Sequence, residues 1–266
     1  MQQALDFLAE TRALGDLIAP LEDADYLQET GFKAWTIDMV IRHLHFWNKA
    51  ALFSLKDEAA FHTLVSDLMD ALKAGSLTEK ESEHFGGLSG TALRADWLQL
   101  AQETAGAFAE ADPSQRLAWV GPSMSARSSI TARLMETWAH GQEVYDQLGI
   151  IRQNEDRIRN IVVLGVNTYG WTFLNRKEDI PQPMPHLVLT APSGEIWTYG
   201  DESAAERIEG AAEAFCQVVT QTRNIQDTAL NVHGGNAKAW MEKAQCFAGP
   251  PQDPPAPGTR KTKEKS

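Results

Sequence analysis

The sequence predicts a mainly α protein in which a helical bundle is followed by a small α+β domain. Three observations point there. Up to residue 150 the apolar residues recur at helical spacing with no strand-like alternation. A Pro-rich connector, Glu178-Asp-Ile-Pro-Gln-Pro-Met-Pro185, then interrupts the second half, and two short segments rich in β-branched and aromatic residues follow it. Successive long helices over residues 1–150 imply an antiparallel bundle. Residues 151–248 make up the α+β domain, and the Pro-rich, then Lys-rich stretch 249–266 is expected to be a disordered tail with nothing to pack.

In chain order, Leu5, Leu8, Leu14, Leu17 and Ile18 give a first amphipathic helix, which Pro20 stops. Thr36 caps a second, strongly apolar helix reaching about residue 55, with Ile37, Val40, Ile41, Leu44, Trp47, Ala51 and Leu55 as its stripe. A third helix over 58–74 carries Phe61, Leu64, Val65, Leu68 and Leu72 and ends at Gly75. The polar, turn-rich residues 75–90 read as a loop with one helical turn at most. Helical spacing returns from 89 to 110 until Asp112-Pro113 breaks it, and 117–125 is extended. A further helix begins at Ser128 and ends on Gly149 as its C-cap. In the second half, 157–174 reads as a helix, 186–191 and 195–199 as a hairpin turning at Pro192-Ser-Gly194, and 204–222 and 237–247 as two more helices.

Composition narrows the function. A chain of 266 residues, 43% apolar, can bury one large core or two modest ones. The 24 basic and 36 acidic residues give a net charge of −12, which repels nucleic acid and anionic membranes. A small-molecule substrate suits such a surface, with the protein a monomer or homodimer. The first residues have neither the basic start nor the apolar run of a secretory signal, and no stretch approaches the ~20 apolar residues of a membrane helix, so a cytoplasmic location is expected. Cys216 and Cys246 are too few and too distant for a disulfide framework, and Cys216, within Ala214-Phe-Cys-Gln-Val-Val219, reads as a core thiol.

The chemistry centres on Glu136 and His140. Four residues apart on one helix, they stand one above the other and could chelate a divalent ion if a third ligand arrives from elsewhere. Spacing alone leaves this open, because a Glu-x-x-x-His pair is also a common solvated contact. The pair lies on the flank of the stripe formed by Ile130, Leu134 and Trp138, a flank shared with Arg133 and Glu143. Of the seven histidines, His43 is the best third partner: its neighbours one turn away are Met39, Val40, Phe46 and Trp47. His45, flanked by Ile41, Arg42, Asn48 and Lys49, is expected to face the rim.

The segments Asp38-Met-Val-Ile-Arg-His43-Leu and Thr131-Ala-Arg-Leu-Met-Glu136-Thr-Trp-Ala-His140-Gly resemble the DinB-like superfamily, in particular its mycothiol-dependent maleylpyruvate isomerase branch. Trp119-Val-Gly-Pro-Ser-Met-Ser and Phe247-Ala-Gly-Pro-Pro are similar to one subgroup of that branch. The resemblance spans about residues 4 to 250. It implies a DinB-like four-helix bundle in which His43, Glu136 and His140 hold one divalent ion, usually zinc, followed by a small α+β domain that would close over the bundle. It also implies a low-molecular-weight thiol as cosubstrate, and it places Arg223, in Thr220-Gln-Thr-Arg-Asn, at the position of a catalytic arginine. The expected activity is a metal- and thiol-dependent isomerase or transferase acting on a small unsaturated or electrophilic substrate. The alternatives are a non-catalytic metal-binding module, such as a sensor or stress-response protein, and a metal-free helical scaffold.

Overall fold

The computed structural model describes residues 1–66, 71 and 76–264. The chain divides into two compact units, Met1–Gln147 and Leu148–Ser266.

Four long helices build the first unit: α1 (Gln2–Leu17), α2 (Ile37–Lys56), α5 (Gly90–Glu110) and α6 (Ala126–Gln147). Two short ones, α3 (Glu58–Val65) and α4 (Leu77–His84), lie on the connection between α2 and α5. The long helices form a ring in which α1 touches α5 and α6, and α2 touches the same two. Side-chain pairs give their directions. The Met1 amino group donates to the Ala109 carbonyl and Arg94 to that of Gly15, so α1 and α5 are antiparallel. Gly90 N–H donates to Asp38 and His45 pairs with Asp96, so α2 and α5 run the same way. Trp47 meets Arg133 and Trp35 meets His140, so α2 and α6 are antiparallel and α1 and α6 run the same way; the expected bundle is present, with two parallel neighbour pairs rather than antiparallel neighbours throughout.

Local sequence explains the ends of these helices. The Thr36 hydroxyl accepts the Met39 N–H at 3.2 Å and starts α2, and Gly149, at φ +65°, supplies the left-handed residue beyond α6. The inward face of α1 is Ala4, Phe7, Thr11 and Leu14, continued by Ile18, whereas Leu5 is 54% exposed. A helical period fits either face, and the one carrying the Phe7 ring is buried. Residues 77–84, expected as a loop, form α4; its one buried residue is Glu81, so no apolar stripe announces it. Of the third predicted helix, Leu68 and Leu72 lie outside the described residues. The extended stretch after α5 contains a small antiparallel ladder, β1 (Arg116–Leu117) with β2 (Met124–Ser125).

In the second unit the helix expected over 157–174 is divided into α7 (Arg159–Asn167) and α8 (Tyr169–Leu174). The Thr168 hydroxyl, bonded back to the Leu164 and Gly165 carbonyls, marks the break. The predicted hairpin is β3 (His186–Thr190) with β4 (Ile196–Tyr199), antiparallel, turning through Gly194 at φ +89°. Two further strands were not expected. β5 (Arg207–Ala211) replaces the start of the helix assigned to 204–222, leaving α9 (Ala212–Val219), and β6 (Asn231–His233) precedes α10 (Gly235–Met241). β5 buries only Ile208, too little alternation to read as a strand, and it is held by pairing parallel to β3 and antiparallel to β6. The sheet order is β4-β3-β5-β6, with α9 packed on β3 and β5.

The tail expected to be disordered has no helix or strand among its described residues, yet its backbone is engaged. Gln252 N–H donates to Gln245, Asn224 donates to the Pro255 carbonyl, and Gly258 N–H reaches Asp227. Polar side chains of the second unit thus satisfy it where apolar packing is lacking. Among the described residues no helix is long and apolar enough to cross a membrane.

Candidate metal centre

Helices α2 and α6 bring His43, Glu136 and His140 together, one ligand atom of each lying within 4.8 Å of the others. Glu136 Oε2 is 3.7 Å from His43 Nε2 and 3.4 Å from His140 Nε2, and the two imidazole centroids are 5.0 Å apart. Two Nε2 atoms and a carboxylate oxygen facing one point are the donors of a divalent transition-metal site. These residues therefore fit an ion such as zinc, with three protein ligands.

The predicted flank of α6 is inside the protein. Arg133 and Glu143 are buried, and the Glu136 side chain is 24% exposed. Because α6 packs against both α1 and α2, it buries more than one stripe. His45, expected at the rim, is also buried: its Nε2 lies 2.9 Å from Asp96 and its ring stacks on Phe85 at 4.3 Å. Both partners come from outside α2, where the neighbours of His45 on its own helix give no hint of them.

Four residues that the sequence did not single out for the site surround it. The Glu81 carboxylate, fully buried on α4, accepts from His43 Nδ1 at 2.8 Å. Trp35 lies parallel to His140, and Phe32 meets the same ring edge-on at 5.0 Å. The turn carrying these aromatics holds Lys33 and Ala34 at φ +52° and +56°, a conformation non-glycine residues seldom adopt. Arg133 approaches Glu136 to 4.0 Å, and its guanidinium sits 5.5 Å from the Trp119 ring and 6.0 Å from that of Trp47. Its Nε and Nη1 have no hydrogen-bond partner among the described residues. Phe32 and Trp35, in the four residues before the Thr36 cap, were the available signal for the turn; Glu81, in a polar stretch without period, offered none.

The charges are strongly coupled. Burial opposes a charge on His43, but the Glu81 and Glu136 carboxylates outweigh it and hold the pKa up at about 9. Burial likewise opposes the Glu136 carboxylate, yet hydrogen bonds to His140 and His43, with Arg133 behind them, keep its pKa well below the usual range. Burial pushes His140 down, helped by the charge on His43. The site thus contains a firmly ionised carboxylate between one imidazole that holds its proton and one that gives it up.

Arg223 belongs to the second unit. It follows α9, is buried, and donates from Nη1 to the Thr222 carbonyl at 2.9 Å. It is therefore not a solvated helix-end cation.

The family model described as the mycothiol maleylpyruvate isomerase N-terminal domain matches residues 7–145. Two proteins of Mycobacterium tuberculosis, one in strain CDC 1551 / Oshkosh and one in strain H37Rv, both named only as uncharacterized proteins, are 39% identical over 247 residues. These matches cover 92% of this chain and 95% of each relative. Among solved structures, the mycothiol-dependent maleylpyruvate isomerase is similar in fold, with a TM-score of 0.51 and 16% identity over 82% of this chain and 87% of that one. A point mutant of that enzyme matches equally well.

Proposed function

The chain belongs to the family of the mycothiol maleylpyruvate isomerase N-terminal domain, and on that premise we propose that it is a metal- and thiol-dependent isomerase or transferase acting on a small unsaturated or electrophilic substrate. The observation that carries this is the convergence of His43 Nε2, His140 Nε2 and Glu136 Oε2 inside the bundle. A divalent ion held there, zinc by its donor set, would supply an open coordination position at which a bound thiol is acidified and made nucleophilic.

The remaining roles fall to side chains of this protein. Glu136, ionised between the two imidazoles, offsets the charge of the ion, while Trp35 and Phe32 fix the plane of His140. Arg223, a rigid fork of donors, is proposed to bind a substrate carboxylate by paired hydrogen bonds. A low-molecular-weight thiol is the proposed cosubstrate, as the name of the solved relative says of that enzyme, and the cytoplasm the proposed location.

Metal analysis of protein purified without chelators, beside His43→Ala and His140→Ala, tests the site: one ion per chain is expected in the parent and loss in both variants. Equal metal in all three would end the proposal. Turnover of maleylpyruvate-like and electrophilic substrates is then measured with mycothiol, glutathione and bacillithiol. Thiol-dependent product is expected; bound metal without turnover would leave the non-catalytic metal-binding module standing.

A further inference from the structure

We propose that Glu81 is the positioning residue of this centre: its buried carboxylate holds His43 as the Nδ1–H tautomer and so aims the Nε2 lone pair at the ion. This rests on the metal-binding reading above and assigns a role to a residue on a different helix from every ligand.

The geometry is direct. Glu81 Oε1 lies 2.8 Å from His43 Nδ1, while His43 Nε2 is the ring atom that faces Glu136. A carboxylate only accepts, so Nδ1 must carry a proton; the second proton, which faces Glu136 when no ion is bound, is the one an ion would displace, leaving Nε2 as the donor atom of the ligand set. Histidines that bind metals commonly give their second N–H to a carboxylate, which fixes the tautomer, sets ring rotation and raises basicity.

Packing alone does not account for this residue. Glu81 is the only buried residue of α4, and its Oε2 has no partner among the described residues. An isolated buried carboxylate is costly, and an apolar side chain at such a position is often neutral or stabilising. α4 instead turns a carboxylate inward and is anchored so that it stays there. His84, one turn further on, contacts Lys49 Nζ at 3.0 Å and the Phe46 ring edge-on, and Phe85 stacks on His45. These contacts fix α4 on α2 with Glu81 against His43.

The test uses the full chain, with zinc as the probe. Affinities are read by chelator competition for the parent, Glu81→Leu and Glu81→Gln, and the protonated nitrogen of His43 by 1H–15N NMR of the zinc-loaded parent. Expected are a loss of about 10–100-fold in Glu81→Leu, near-parental affinity in Glu81→Gln, whose side-chain oxygen still accepts, and a proton on Nδ1. Parental affinity in Glu81→Leu, a loss in Glu81→Gln as large as in Glu81→Leu, or a zinc-loaded parent with Nδ1 unprotonated would overturn the positioning role. A parent that takes up no zinc would instead overturn the metal centre itself. The NMR measurement needs no variant and decides the matter even if Glu81→Leu does not fold.

Discussion

The indole of Trp35 lies 11° from parallel to the His140 imidazole, with 5.6 Å between centroids. A ring stacked this way, with Phe32 edge-on against it at 5.0 Å, has its rotation restricted by aromatic contacts without any ion. Trp35→Leu is expected to weaken zinc binding by up to about tenfold, from ~0.5–1.5 kcal/mol of ring–ring contact. Chelator competition reads this; an unchanged affinity would mean that the stacking does not orient the ligand.

Asp38 joins the starts of α2 and α5. Its carboxylate accepts Gly90 N–H at 2.8 Å and pairs with Arg42, which in turn donates to the Leu88 carbonyl. Both side chains are buried, so removing one charge strands the other. Asp38→Ala should cost about 3–5 kcal/mol in urea denaturation. Lys56→Ala, at the exposed Lys56–Glu103 pair, should cost ~1 kcal/mol or less. Equal losses would contradict this contrast.

Gly165 on α7 has no room for a side chain. A Cβ there would come within 2.9 Å of Phe215 Cε1 and 3.1 Å of Val219 Cγ2, both on α9 and both buried. Gly165→Ala is expected to lower stability by roughly 1–3 kcal/mol through overpacking, even though alanine favours a helix. A gain in the denaturation midpoint would show that α9 yields easily.

Cys216 is fully buried, and burial, reinforced by Cys246, raises its thiol pKa well above the ordinary value. In the unfolded chain a thiol ionises near ~8.5. Below that pH both states hold the proton and stability is unaffected; above it only the unfolded state releases the proton, so stability falls as pH rises. Urea midpoints at pH 7.5 and 10 should diverge more for the parent than for Cys216→Ala, and Cys216 should resist alkylation until urea is added. Rapid alkylation of the native protein at Cys216 would refute this.

That His43, Glu136 and His140 cluster could be read from the sequence because helical spacing is a strong local rule. Glu136 and His140 meet at one turn's separation, and the apolar neighbours of His43 turn it toward them. Burial from neighbouring helices could not be read that way. His45 owes its place to Asp96 and Phe85, and Glu81 sits on a helix whose exposed face is all the sequence displays. In the second unit, the hairpin carried its own turn chemistry and was visible. β5 became a strand only through β3 and β6, partners distant in sequence.

Because α2 and α5 run the same way, the chain must travel back along the bundle between them, and α4 lies on that return path. The cluster and its neighbours therefore draw on three separated stretches: the turn from Phe32 and α2 as far as His43, the return path at Glu81, and α6 from Arg133 to His140. No peptide cut from one of them carries it whole. During synthesis the cluster can assemble only after the last stretch has emerged and Glu81 has met His43, so uptake of an ion at the proposed site would report completed folding of the bundle. Lengthening the return path would disturb the centre without altering one ligand.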